Sequence, residues 1–149
     1  MPDHAIDERM MRRALALGTL GTGTTAPNPR VGAVVARGRR VIGQGYHFCP
    51  GERHAETVAL DQVQSSGARA RGATLYTTLE PCCHMGRTPP CVDQILRSGI
   101  QRVVASMRDP NPRVNGGGFS WLRRHRIEVE VGLLREQARR LNEAFEKHA

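Results

Sequence analysis

Aromatic residues are scarce: one Trp, two Tyr and three Phe make up 4% of the 149 residues. Platforms that stack single-stranded nucleic acid need several exposed rings, so this shortage argues against that class of partner. Lysine is nearly missing too, Lys147 being the only one, and almost all positive charge is arginine. No stretch approaches the ~18 uninterrupted apolar residues that a membrane helix requires. Met1 to Leu20 carries Asp3, Asp7, Glu8, Arg9, Arg12 and Arg13 through its length. It therefore has no signal-peptide core, and a cytoplasmic protein is expected. No internal repeat and no linker is visible.

What is present fits a globular chain. Hydrophobic residues account for 39% of the sequence, enough for one core, and the length predicts a single domain over residues 1–149. The net charge is +8, from 22 Lys+Arg against 14 Asp+Glu. Such a surface favours anionic partners, a phosphorylated small molecule or nucleic acid, although a solvated basic surface explains it equally well. Four cysteines occur, Cys49, Cys82, Cys83 and Cys91. Two are adjacent and cannot staple a fold, so in a reducing compartment the group reads as metal-binding or catalytic.

The apolar spacing of Met10, Met11, Ala14, Leu15 and Leu17 predicts a helix over Asp7 to Leu17, stopped by Gly18. A Gly-, Thr- and Pro-rich loop leads to an extended run, Val31 to Ala36. After a turn at Arg37–Arg40 a second run, Val41 to Tyr46, completes a hairpin. Helical character over Glu52 to Ser66 is followed by a β-branched strand, Ala73 to Thr78. Next come a helix over Cys91–Ser98, a strand over Arg102–Ser106, a loop over Asp109–Asn115 and a short helix from Gly118 to Arg124. A strand over Ile127–Val131 and an amphipathic helix over Arg135–Lys147 finish the chain. This order predicts an α/β fold, a mixed sheet with helices on its faces.

Three short pieces carry chemistry: His54-Ala55-Glu56, Pro81-Cys82-Cys83 and Pro89-Pro90-Cys91. Each follows a loop and lies near the start of a predicted helix, where the helix dipole lowers thiol pKa values. One imidazole and two thiolates suit zinc, and three protein ligands leave a fourth tetrahedral position for water. Water in such a position ionises near neutrality. Glu56, turned about 200° from His54 around a helix axis, still reaches such a water from the first turn. It can take the water's proton and pass it to a substrate. A His and a Glu one residue apart, then Pro-Cys and a second Cys, is the order that zinc deaminases use. The competing reading is a structural zinc site closed by Cys83 or His84; adjacent residues rarely bind one metal with good geometry. Cys49 reads as a small buried hydrophobe.

Several stretches resemble the deaminase domain of the bifunctional riboflavin-biosynthesis deaminase/reductase family, within the cytidine-deaminase superfamily. They are Pro27–Gly32, Gly45–His47, Gly51–Glu56, Thr77–Cys82, His84–Cys91, Asp109–Pro112 and Leu141–Phe145, over nearly the whole chain. The most specific is Gly86-Arg-Thr-Pro-Pro-Cys91, with eight residues between Cys82 and Cys91. Nucleic-acid and nucleoside deaminases of the superfamily typically place two there. The resemblance implies a three-layer α/β/α sandwich around a mixed sheet of about five strands. It implies zinc on His54, Cys82 and Cys91, with Glu56 as the catalytic proton shuttle. The implied substrate is 2,5-diamino-6-ribosylamino-4(3H)-pyrimidinone 5′-phosphate, losing its 2-amino group as ammonia. Asn28, His47, Arg87, Asp109 and Asn111 match positions that bind substrate in the family. Asn28 is suited to a heterocycle edge, Arg87 to phosphate or ribose oxygens, and Asp109 to a ribose hydroxyl.

Many relatives continue into a nicotinamide-dependent reductase directly after the segment matching Leu141–Phe145; either a deaminase working beside a separate reductase in the pathway is expected, or an excised domain. A homo-oligomer is expected, since relatives assemble through helix faces. Met85 stands where an aromatic or His is usual and Cys83 where Ser is common; the late Gly before the last strand is replaced near Arg126. Two readings remain beside the main one: a deaminase acting on another aminopyrimidine, a purine or a base in RNA, and a non-enzymatic zinc scaffold. The basic charge supports RNA, while the cysteine gap and the missing aromatics count against it.

Overall fold

In the computed structural model, residues 3–21, 30–47, 54–82, 91–109 and 116–143 are described. Asp3 accepts from the main-chain N–H groups of Ala5 and Ile6, so helix α1 begins at His4 and runs to Gly18 (His4–Gly18). The apolar spacing alone placed its start near Asp7; a side-chain cap adds the first turn. A single 3-10 turn follows at Thr19–Gly21.

The strands are β1 (Gly32–Arg37), β2 (Arg40–Tyr46), β3 (Thr74–Thr77), β4 (Arg102–Ala105) and β5 (Glu128–Val131). They form one mixed sheet in the order β2-β1-β3-β4-β5. β1 is antiparallel to β2 and to β3, whereas β3, β4 and β5 run parallel. The remaining helices are α2 (Ala55–Ser65), α3 (Cys91–Ser98), α4 (Gly117–Arg124) and α5 (Arg135–Leu141).

The period-2 alternation of β1, β3 and β4 splits the core between two faces. Ala33, Val35, Leu75 and Val103 pack with Ala59 and Val63 of α2, Val92 and Ile95 of α3 and Leu122 of α4. On the other face Val34, Ala36, Tyr76 and Val104 pack against Met10, Met11 and Ala14 of α1. The result is the expected three-layer α/β/α sandwich. Helix α2 lies directly on β2 because two β2 residues have no side chain: a Cβ on Gly45 would sit 2.7 Å from the Val58 side chain. That close approach fixes the height of the α2 N-terminus above the sheet.

The α1 face carries a buried ionic cluster. Arg102 on β4 donates from Nη1 and Nη2 to the two carboxylate oxygens of Asp7 on α1, at 2.9 and 2.6 Å. The Tyr76 hydroxyl on β3 donates to the same carboxylate at 2.6 Å, and Glu130 on β5 lies 2.9 Å from Arg102. One helix and three strands are thereby joined through polar groups. Asn142, after α5, is buried and accepts from the Arg30 N–H at 2.7 Å, tying the chain's last described segment to the entrance of β1.

Strand polarity brings the start of β1 and the ends of β2, β3 and β4 to one edge of the sheet: Gly32 lies opposite Tyr46, Ala33 opposite Thr77, and Thr77 opposite Ala105. His47, Cys82 and Asp109 all follow strands that end there.

Candidate active site

His54 is the N-cap of α2, Cys91 is the first residue of α3, and Cys82 follows β3. Cys82 itself is not at a helix start, but its sulfur accepts from the Cys91 main-chain N–H at 3.2 Å, so it sits at the N-terminus of α3 in space. The two sulfurs converge on one nitrogen. His54 Nδ1 lies 3.1 Å from Cys91 Sγ and 3.6 Å from Cys82 Sγ, and the three ligand atoms all lie within 4.8 Å of one another. A zinc ion with Zn–N of about 2.0 Å and Zn–S of about 2.3 Å in tetrahedral geometry places N and S roughly 3.5 Å apart. The separations and the softness of the donors both fit that ion.

The protonation of these groups records their crowding. The Cys91 thiol and main-chain N–H, with the His54 imidazole, hold the Cys82 sulfur well below an ordinary thiol. Cys91 is pushed the other way by its hydrogen bond to Cys82 and by burial. His54 is raised to about 9 by the Cys82 sulfur and, against burial, by the charge of Glu56. A divalent cation reverses the last two shifts, since it binds only the deprotonated ligands.

Glu56, in the first turn of α2, is buried with 4% of its surface exposed. Burial pushes its carboxyl up to about 7, opposed by the His54 charge and reinforced by the Cys82 sulfur. A carboxyl that burial holds above the ordinary carboxylate range is suited to taking up and giving back a proton. Its hydrogen bond with Cys91 places it at the sulfurs, and His54, extended at φ −68° and ψ 158°, stands outside the helix, so the turn of about 200° expected between the two does not apply.

Two further predicted site residues fall among those described. His47 is buried and its ring meets that of His54 edge to face, centroids 5.7 Å apart. Asp109 is half-buried at the exit of β4 and its N–H donates to Glu80 at 3.1 Å. Asn28, Arg87 and Asn111 lie outside the described residues, as do Cys49, Cys83, His84 and Met85. Sequence reasoning missed Thr57, which hydrogen-bonds Cys91, and Glu80, buried two residues before Cys82. Glu80 left one trace: the glycine run Gly116–Gly118, whose bare backbone lets N–H groups approach a carboxylate.

Residues 4–107 match the cytidine and deoxycytidylate deaminase zinc-binding region. The chain belongs to this deaminase family. Its relatives include the riboflavin biosynthesis protein RibD of Aquifex aeolicus, 54% identical over 94% of this chain but only 38% of that protein. A diaminohydroxyphosphoribosylamino-pyrimidine deaminase of Buchnera aphidicola (subsp. Schizaphis graminum) is 45% identical over 95% of this chain and 94% of its own length. Among solved structures, the deaminase/reductase of Thermotoga maritima superposes with a TM-score of 0.92 at 46% identity, covering 97% of this chain and 41% of that one. The chain thus spans somewhat over a third of the two-activity relatives and nearly all of the Buchnera deaminase. For this deaminase, His54, Cys82 and Cys91 form the zinc-binding cluster. No described helix is long and apolar enough to cross a membrane.

Proposed function

We propose that this deaminase removes the 2-amino group of 2,5-diamino-6-ribosylamino-4(3H)-pyrimidinone 5′-phosphate as ammonia, a step of riboflavin biosynthesis. The observation that carries the reading is the His54–Cys82–Cys91 cluster with a buried carboxylate, Glu56, beside it. It occurs in a chain matching a diaminohydroxyphosphoribosylamino-pyrimidine deaminase over 94% of that enzyme's length.

His54, Cys82 and Cys91 would hold zinc, which would supply a Lewis acid that brings the ionisation of water toward neutral pH. Glu56 takes up a proton from water and delivers it to the ring nitrogen as the C–O bond forms, then carries the new hydroxyl's proton to the amine, which leaves as ammonia when the C–N bond breaks. Its burial keeps bulk water from competing for that proton. His47 walls the site beside His54 and offers an imidazole to the substrate. Asp109, from the exit of β4, takes a ribose hydroxyl. Asn28, Arg87 and Asn111 complete the substrate set, with Arg87 on phosphate or ribose oxygens. We further infer one deaminase domain over residues 1–149 and a cytoplasmic homo-oligomer.

An ammonia-release assay tests this, comparing the phosphorylated diaminopyrimidine, its dephosphorylated form, cytidine, guanine and an RNA hairpin, with zinc measured alongside. Preference for the first supports the reading. Preference for the hairpin, with activity falling steeply as salt rises, replaces it by RNA deamination.

A further inference from the structure

We propose that Glu80 is a positioning residue for deamination, one that locks the Asp109 main chain to the segment carrying Cys82; this rests on the reading of Asp109 as a substrate contact. Glu80 is 3% exposed and precedes Cys82 by two residues. Its carboxylate receives four main-chain N–H groups, divided between its oxygens. Oε2 accepts from Gly118 at 3.0 Å and Phe119 at 3.2 Å, in the first turn of α4. Oε1 accepts from Asp109 at 3.1 Å and Gly116 at 2.8 Å.

Capping a helix needs only the first pair, because a carboxylate there satisfies orphan N–H groups and meets the positive end of the dipole. The second oxygen does something else: it holds Asp109, whose side chain serves the substrate, against the chain that holds the metal. A further bond runs from the Glu80 N–H to the Met107 carbonyl at 3.0 Å, so the same residue grips the β4 exit through its backbone as well. Gly118 completes the lock, since a Cβ there would overlap the Pro81 carbonyl oxygen. Asp109 and Cys82 therefore behave as parts of one rigid piece, built on hydrogen bonds to a charged acceptor. Glutamine fills the same volume but turns one acceptor into a donor facing two N–H groups.

The test uses the full chain loaded with zinc and four variants: Glu80→Gln, Glu80→Asp, Asp109→Ala and the Glu80→Gln/Asp109→Ala pair. Zinc per chain, melting temperature, kcat and KM for ammonia release are measured on each. Glu80→Gln should keep its zinc yet raise KM about tenfold or more, the scale expected when a positioned group shifts by a fraction of an ångström. Glu80→Asp should recover part of that loss. In the Asp109→Ala background Glu80→Gln should change KM by less than about twofold, as two residues acting through one contact are non-additive. If Asp109→Ala raises KM while Glu80→Gln lowers only the melting temperature, Glu80 is a helix cap and the proposal fails. If Asp109→Ala leaves KM unaltered, the substrate reading of Asp109 falls and the positioning role of Glu80 falls with it. Should both Glu80 variants fail to fold, amide exchange in the unmodified protein decides. Asp109 and Gly116 should then exchange at least about 100-fold slower than an open chain, and unprotected exchange at either overturns the lock.

Discussion

Replacing Asp7 by Asn should cost the protein much of its stability and none of its chemistry. The Asp7 carboxylate is 4% exposed and takes a two-pronged bond from Arg102 together with the Tyr76 hydroxyl. An Asn side chain keeps the shape but turns an amide NH2 toward one guanidinium nitrogen and removes the negative charge. Breaking a buried pair from one side costs about 3–5 kcal/mol. Glu130, 55% exposed, still faces Arg102 and softens the loss, which puts the expectation near the lower end, about 3 kcal/mol. For a chain of this size that corresponds to a fall in melting temperature of about 10 °C. Burial alone would raise the Asp7 carboxyl, but the hydrogen bonds from Arg102 and Tyr76 outweigh it and hold it below the usual 3.8. A group with a depressed folded pKa lends stability above its unfolded pKa and loses it as pH falls through the folded value. The gap between the two proteins should therefore be full at neutral pH and shrink below about pH 4. Calorimetric melts across that range measure it, with zinc content and ammonia release at 25 °C as controls. A variant melting within about 2 °C of the parent at neutral pH, or a gap undiminished at pH 3, would refute the reasoning.

Glu56→Gln should retain one zinc per chain while kcat for ammonia release drops about 100- to 10,000-fold, the usual worth of a positioned proton carrier; undiminished turnover would remove Glu56 from the mechanism. Cys91→Ser should lose zinc, measured by atomic absorption, and chelation of the parent should abolish activity and lower the melting temperature, both restored by zinc alone. Arg126 occupies the left-handed region at φ 64°, where an L side chain costs roughly 1–2 kcal/mol. Arg126→Gly should raise stability by about 0.5 kcal/mol after the greater freedom of unfolded glycine is subtracted, visible as a small rise in the urea midpoint.

Much of this was written in the chain locally. The strands and α3 follow from β-branched runs and apolar spacing, and the metal ligands from residue types whose chemistry is hard to explain otherwise. The start of α1 was misplaced because its signal is a single cap, Asp3, outside the apolar stripe. The Asp7–Tyr76–Arg102–Glu130 cluster was invisible, since its members lie on four elements that only the strand order brings together. Glu80 escaped for a related reason: its partners are main-chain groups, and backbone N–H leaves no letter in a sequence. The Gly missing before the last strand was legible as a departure at Arg126, and the structure shows its form, an arginine held in a conformation glycine adopts freely.

Cys91 donates its N–H to the Cys82 sulfur, and that one contact closes the chain on itself at the foot of the stretch between them. The spacing of the two sulfurs is thereby held at Cys82 and Cys91 themselves, so the eight residues that the sequence places between them are where retargeting of this scaffold to another heterocycle is best attempted.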